Sequence, residues 1–180
     1  MDGKNRDNES IYVHLARETV ELFAREGRRY APGGTLPAEL TAKRAGVFVS
    51  IHRENGDLRG CIGTIAPVRA NVAEEIIANA IAASTEDPRF PRVNEAELPD
   101  LVYNVDVLQP PENIAGAEEL DPKKYGVIVS LEGRRGLLLP DLEGVDTVDE
   151  QLSIAMSKAG IRQSERGRVK LQRFLVTRCF

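Results

Sequence analysis

Apolar positions in this chain change period several times, and each change marks an element. Ile11, Leu15, Thr19, Leu22 and Phe23 recur at helical spacing, which predicts a helix over about 11–25, capped by Ser10 and stopped by Gly27. Residues 30–37 hold too much proline and glycine for anything but loop. Gly46-Val47-Phe48-Val49-Ser50-Ile51-His52 reads as a strand, Asn55-Gly56 as a hairpin turn and 58–65 as the returning strand. A second helix is predicted over about 69–84, where the alanines among Ile76, Ile77, Ala80, Ile81 and Ala83 suit close packing on a sheet. Asp87-Pro88-Arg89-Phe90-Pro91 breaks it into an ordered loop. Residues 101–109 alternate as a strand and stop at Pro110-Pro111. Segments 125–131 and 136–139 predict a hairpin around Glu132-Gly133-Arg134-Arg135, 149–159 a helix closed by Gly160, and 170–178 a last strand. Hairpin-linked strands dominate this order, so the expected fold is α+β, a mostly antiparallel sheet with helices packed on it.

Composition adds bounds. A chain of 180 residues with 42% hydrophobic and 29% charged content fits one globular domain, taken as 10–180 behind a polar, disordered lead-in over 1–9. Net charge is −4, from 24 basic and 28 acidic residues, which argues against a nucleic-acid binder. Basic residues do gather in Arg162-Gln163-Ser164-Glu165-Arg166-Gly167-Arg168-Val169-Lys170, a run read first as solvated surface and second as a phosphate or nucleic-acid contact. No stretch approaches the roughly 20 apolar residues of a membrane span, and the first residues lack a signal-peptide core. Two cysteines, Cys61 and Cys179, build no disulfide framework. The expected compartment is the cytoplasm.

The hairpin geometry singles out Cys61. A two-residue turn at Asn55-Gly56 sets Val47 opposite Thr64, Val49 opposite Ile62, Ser50 opposite Cys61, Ile51 opposite Gly60 and His52 opposite Arg59. Side chains alternate, so Val47, Val49, Ile51, Leu58 and Ile62 form a core face. Phe48, Ser50, His52, Arg59 and Cys61 share the other. A thiol beside an arginine and an imidazole has the makings of a low-pKa nucleophile, although a free cysteine is as often a small buried hydrophobe. Gly60 and Gly63 flank it, and glycine within a strand marks a bulge or a close approach of backbone or ligand. A bulge here would shift the pairing.

Beside the hairpin, Arg89 is a candidate clamp for a carboxylate or phosphate with Arg59 as a second cation; its structural alternative is a salt bridge to Glu86, Asp87 or Glu97. Glu86 or Asp87 is a candidate general acid or base. No cysteine or histidine stands at metal-ligand spacing, and there is no Walker loop, G-x-G-x-x-G or G-x-S-x-G run, so neither metal nor cofactor is expected.

The run Leu58-Arg59-Gly60-Cys61-Ile62-Gly63 resembles the signature of the AMMECR domain family, the A component of the AmmeMemoRadiSam system. The likeness extends through Gly46-Val47-Phe48-Val49, Glu86-Asp87-Pro88-Arg89-Phe90-Pro91, Glu97-Leu98, Val107-Leu108, Gly126, Arg135-Gly136-Leu137-Leu138-Leu139-Pro140 and Lys158-Ala159-Gly160, in that order. It implies an α+β fold with a larger part, a smaller part and a cleft near the signature run. It implies no firm activity. The system's name suggests a Memo-type protein and a radical-SAM enzyme as partners. The family pattern requires no histidine at His52, which weakens a Cys-His dyad. Two functional readings stand side by side. One is thiol-dependent chemistry on a small anionic metabolite, with Cys61 as nucleophile, Glu86 or Asp87 moving protons, and Arg59, Arg89, His52 and the Gly60 and Gly63 backbone holding substrate. The other is a non-catalytic adaptor for those partner proteins.

Overall fold

The computed structural model describes residues 9–32 and 34–180, which form two compact units. Of the predicted lead-in only Glu9 lies among them; its carboxylate accepts from Arg17 Nε at 3.1 Å. The larger unit holds the residues up to Val107 together with Arg178–Phe180, and the smaller holds Leu108–Thr177.

In the larger unit, Ser10 caps α1 (Ile11–Glu26) by accepting the Val13 N–H, and Gly27 closes it in the left-handed region at φ 67°. A single-turn helix, α2 (Ala38–Thr41), follows; four residues are too few to show a period. β1 (Val47–Arg53) and β2 (Leu58–Gly63) form the expected hairpin, and α3 (Val72–Thr85) starts on an Asn71 cap. β3 (Leu101–Leu108) completes the ladder on the other side of β1. The sheet order is β2-β1-β3 with a further strand beyond β3. Val47, Val49, Ile51 and Val105 on one sheet face pack with Ile76 and Ala80 of α3 and with Ala16 and Val20 of α1, all fully buried. Burying each such side chain is worth about 1.5–3 kcal/mol, so this layer dominates the unit's stability.

The turn departs from expectation. Arg53 N–H donates to the Asp57 carbonyl at 2.8 Å and Gly56 N–H to the Arg53 carbonyl at 2.9 Å, so the loop has three residues, with Gly56 at φ 90°. A bulge then cancels the extra residue: His52 faces Leu58 while Ile51 faces Gly60, leaving Arg59 without a cross-strand partner. Beyond the bulge the expected pairs Ile51–Gly60, Ser50–Cys61 and Val49–Ile62 stand. Arg59 is therefore not on the open face, where strict alternation had placed it.

The smaller unit has its own sheet, order β4-β7-β5-β6, built from β4 (Glu112–Ile114), β5 (Gly126–Leu131), β6 (Arg134–Leu138) and, after α4 (Val148–Lys158), β7 (Lys170–Phe174). Val127, Val129, Leu138, Leu152, Ala155 and Met156 form its core. Glu132 and Gly133 make a two-residue turn with both φ positive, 49° and 81°, as the twist of a tight hairpin demands. For the glutamate this conformation costs about 1–2 kcal/mol.

Two expectations are corrected. The strands fall into two four-stranded sheets, not one. The strand expected over 170–178 breaks at Leu175, and β8 (Val176–Cys179) joins the first sheet beside β3. The reason lies at Pro110-Pro111, which lack N–H donors and end the β3 ladder, so the chain leaves to start β4. Gln109 N–H then binds the Leu175 carbonyl at 2.9 Å, where the last strand changes sheets. Among the described residues no helix is long and apolar enough to cross a membrane.

The β2–α3 contact gives a test. A Cβ built on Gly60 would lie 2.2 Å from the Ala83 carbonyl oxygen, a helix backbone atom that cannot turn aside. Gly60→Ala is expected to lower the unfolding free energy by about 2–3 kcal/mol, read from urea midpoints at unchanged slope.

Candidate functional site

The open face of the first sheet carries Cys61 on β2, Ser50 on β1 and Asn104 on β3 in one cross-strand row, with Phe48 and Asp106 in the next. Ser50 Oγ–H donates to Cys61 Sγ at 3.2 Å. Asp87, just past the C-terminus of α3, accepts the Cys61 N–H on Oδ2 at 2.9 Å. The same carboxylate takes a fork from Arg89, Nε at 2.9 Å and Nη2 at 2.7 Å, and the Arg89 N–H at 3.1 Å. Arg89 Nη2 also reaches the Cys61 carbonyl at 3.5 Å. The Asp87 side chain is 2% exposed while that of Arg89 is 54% exposed, so the pair is anchored at one end and open to water at the other.

These contacts decide the charges. Arg89, above all, holds the Asp87 carboxyl far below the usual carboxylate range; burial opposes this and the Cys61 and Arg89 N–H groups reinforce it. Burial pushes the Cys61 thiol up, beyond what the Ser50 hydrogen bond and the Arg89 charge recover, and Asp106 and Asp87 push it further. This is the direction a buried thiol takes, opposite to that of an activated nucleophile.

The remaining candidates fall elsewhere. Arg59 is 3% exposed and its guanidinium grips Glu97 through Nε at 2.8 Å and Nη2 at 3.0 Å. Its Nη1 is buried with no hydrogen-bond partner among the described residues, and its guanidinium carbon lies 5.9 Å from the Phe90 ring centre, with Arg89 at 5.4 Å from the same ring. As a brace on Glu97 it is not presented as a second cation beside Arg89. The bulge moves His52 one residue further from Cys61 along the hairpin, and its Nδ1 sits 3.2 Å from the Gly56 carbonyl, so no Cys-His dyad forms. Glu86 is the exposed C-cap of α3 and lines a separate hollow. Gly60 and Gly63 are explained by neighbours within the chain: a Cβ at Gly63 would fall 2.2 Å from the Phe48 ring.

That separate hollow, of about 240 Å³, holds residues the sequence reading missed. Glu75, 1% exposed, accepts Thr64 Oγ1 at 2.7 Å and the N–H groups of Val68 and Arg69 at 3.0 and 2.9 Å. Asn79 donates to the Val47 carbonyl at 2.9 Å. A Glu-x-x-x-Asn pair on the apolar stripe of a helix is the signal that would have marked them. Among the described residues no cluster of His, Cys, Asp and Glu is placed to hold a metal.

Three outcomes are expected. With Cys179→Ser as background, iodoacetamide labels Cys61 at pH 7 more slowly than a free thiol, and the rate climbs to pH values above the usual thiol range; a plateau below about pH 7 would instead mark an activated thiolate. Glu97→Ala strands the buried Arg59 charge and costs about 3 kcal/mol in chemical denaturation. Asp87 has a depressed folded pKa, so its contribution is complete above its unfolded value of about 3.9 and is lost as pH falls through the folded one. The stability gap between wild type and Asp87→Asn therefore stays constant above about pH 5 and narrows below about pH 4, measured by urea midpoints across that range.

A Thermotoga maritima protein is 54% identical over 170 residues, covering 94% of this chain and 97% of its own. A Clostridium acetobutylicum protein is 51% identical over 93% of this chain, which spans only 35% of that longer protein. The crystal structure of an uncharacterized Pyrococcus horikoshii protein, PH0010, superposes with a TM-score of 0.86 at 33% identity, covering 96% of this chain and 90% of that one. The AMMECR1 family pattern matches residues 13–179, and with relatives at this identity over nearly its whole length the chain belongs to the AMMECR1 family.

Proposed function

We propose that this AMMECR1-family protein is a recognition module whose Cys61–Asp87–Arg89 corner receives an acidic side chain of a partner protein. One observation carries the reading: the Arg89 guanidinium is half exposed, yet fixed by its fork on a buried carboxylate. A cation immobilised in advance loses little side-chain entropy when a carboxylate arrives, and its outer edge keeps N–H donors that Asp87 does not use. The partners suggested by the sequence resemblance, a Memo-type protein and a radical-SAM enzyme, are the ones to try.

Thiol-dependent chemistry at Cys61 on a small anionic metabolite is the second reading. The Ser50 hydroxyl favours it, because a hydrogen bond donated to sulfur at 3.2 Å stabilises a thiolate. Against it stand the raised thiol pKa and the placement of the two candidate proton carriers: Asp87 is ion-paired with Arg89 and Glu86 faces another hollow.

Co-purification with each partner separates the two. Under the recognition reading Arg89→Ala weakens capture by about tenfold while Cys61→Ser leaves it intact. Loss on Cys61→Ser with retention on Arg89→Ala would sink this reading and return the thiol to the centre.

A further inference from the structure

The smaller unit carries a second feature, independent of the Cys61 corner. Ser130 on β5 is paired with Arg135 on β6 and with Lys170 on β7. Neighbouring strands lie about 4.8 Å apart, so the two cations flank the Ser130 hydroxyl in one row, their Cα atoms about 10 Å from each other. The row borders a concavity of about 470 Å³ that also takes in Leu131, the Glu132-Gly133 turn, Arg134 and Arg168. That volume lies within the range of small-molecule sites. Its lining holds four basic side chains and one acidic one, in a protein whose net charge is −4.

The local ion pairs show which cations remain available. Arg134 is committed to Glu165 at 2.9 Å, and Arg168 to Glu132. Among the described residues Arg135 meets only the neutral Gln172 amide oxygen, at 3.3 Å. Lys170 is exposed and forms no ion pair among the described residues. Two uncompensated cations thus flank Ser130 in one row that borders this hollow.

From this juxtaposition of Arg135, Ser130 and Lys170 we propose a binding site for a phosphorylated small organic molecule, its phosphate held by the two cations and the serine hydroxyl and its organic part lying along the aliphatic stems of the same basic side chains. A phosphate offers three strong acceptor oxygens to match those donors. A long nucleic acid strand fits less well, because the uncompensated charge is confined to one short row and the molecule as a whole is acidic. Glu132 sits at the rim as a competing anion for Arg168.

The test uses AMP, adenosine and inorganic phosphate as probes on the full chain, in calorimetry at about 50 mM salt and in amide NMR shifts. AMP is expected to bind saturably and to move the amides of residues 130–135, inorganic phosphate to bind more weakly, and adenosine to leave those amides in place. The double variant Arg135→Ala/Lys170→Ala weakens AMP by at least roughly tenfold. Glu132→Gln, which frees Arg168, tightens it several-fold; an opposite effect of this kind cannot come from misfolding. Equal response to AMP and adenosine, phosphate binding as tightly as AMP, or an unchanged affinity in the double variant overturns the proposal. So does a single-stranded oligonucleotide that binds far more tightly than AMP and gains affinity with length, which would assign the row to nucleic acid.

Discussion

Asp87 holds three groups from one buried carboxylate: the Cys61 amide of β2, the Arg89 amide and the Arg89 guanidinium. An ion at this depth is tolerable only because those donors replace the water it gave up. It pins the segment after α3 to β2 at the point where Gly60 lets the helix end close in on the strand. The position of Arg89, the orientation of the Cys61 peptide and the acidity of the corner all depend on it.

The same interaction limits the chemistry. A carboxylate whose pKa is held this low by its hydrogen bonds neither takes nor gives a proton near neutral pH. A thiol placed next to it feels a negative charge, which adds to the effect of burial and raises its pKa. Cys61 therefore occupies a polar, ordered corner in which burial and the nearby carboxylates outweigh the Arg89 charge.

Much of the fold was legible in the sequence because its signals are local. Ser10 and Gly27 bound the first helix where capping chemistry predicts, and the pairs Ile51–Gly60, Ser50–Cys61 and Val49–Ile62 follow from alternation about one turn. Even so, two errors offset each other there. The Asn55-Gly56 turn is one residue longer than its dipeptide suggests, and the bulge at Arg59 restores the register. The glycine at 60 had signalled a bulge or a close approach, and both occur within two residues.

Read alone, the sequence determined the α+β class, the order of most elements and the cluster of chemistry around residues 59–61 and 86–89, since caps, turns and hydrophobic period act between near neighbours. Tertiary structure alone decided which of these groups meet. It buried Arg59 on Glu97, 38 residues away, tied the Asp87 carboxylate to the Cys61 amide, and split the last strand between two sheets. It also brought Arg135 and Lys170 to either side of Ser130. Side-chain charge and thiol reactivity depend on burial and on partners brought in from distant parts of the chain, and no local pattern encodes these.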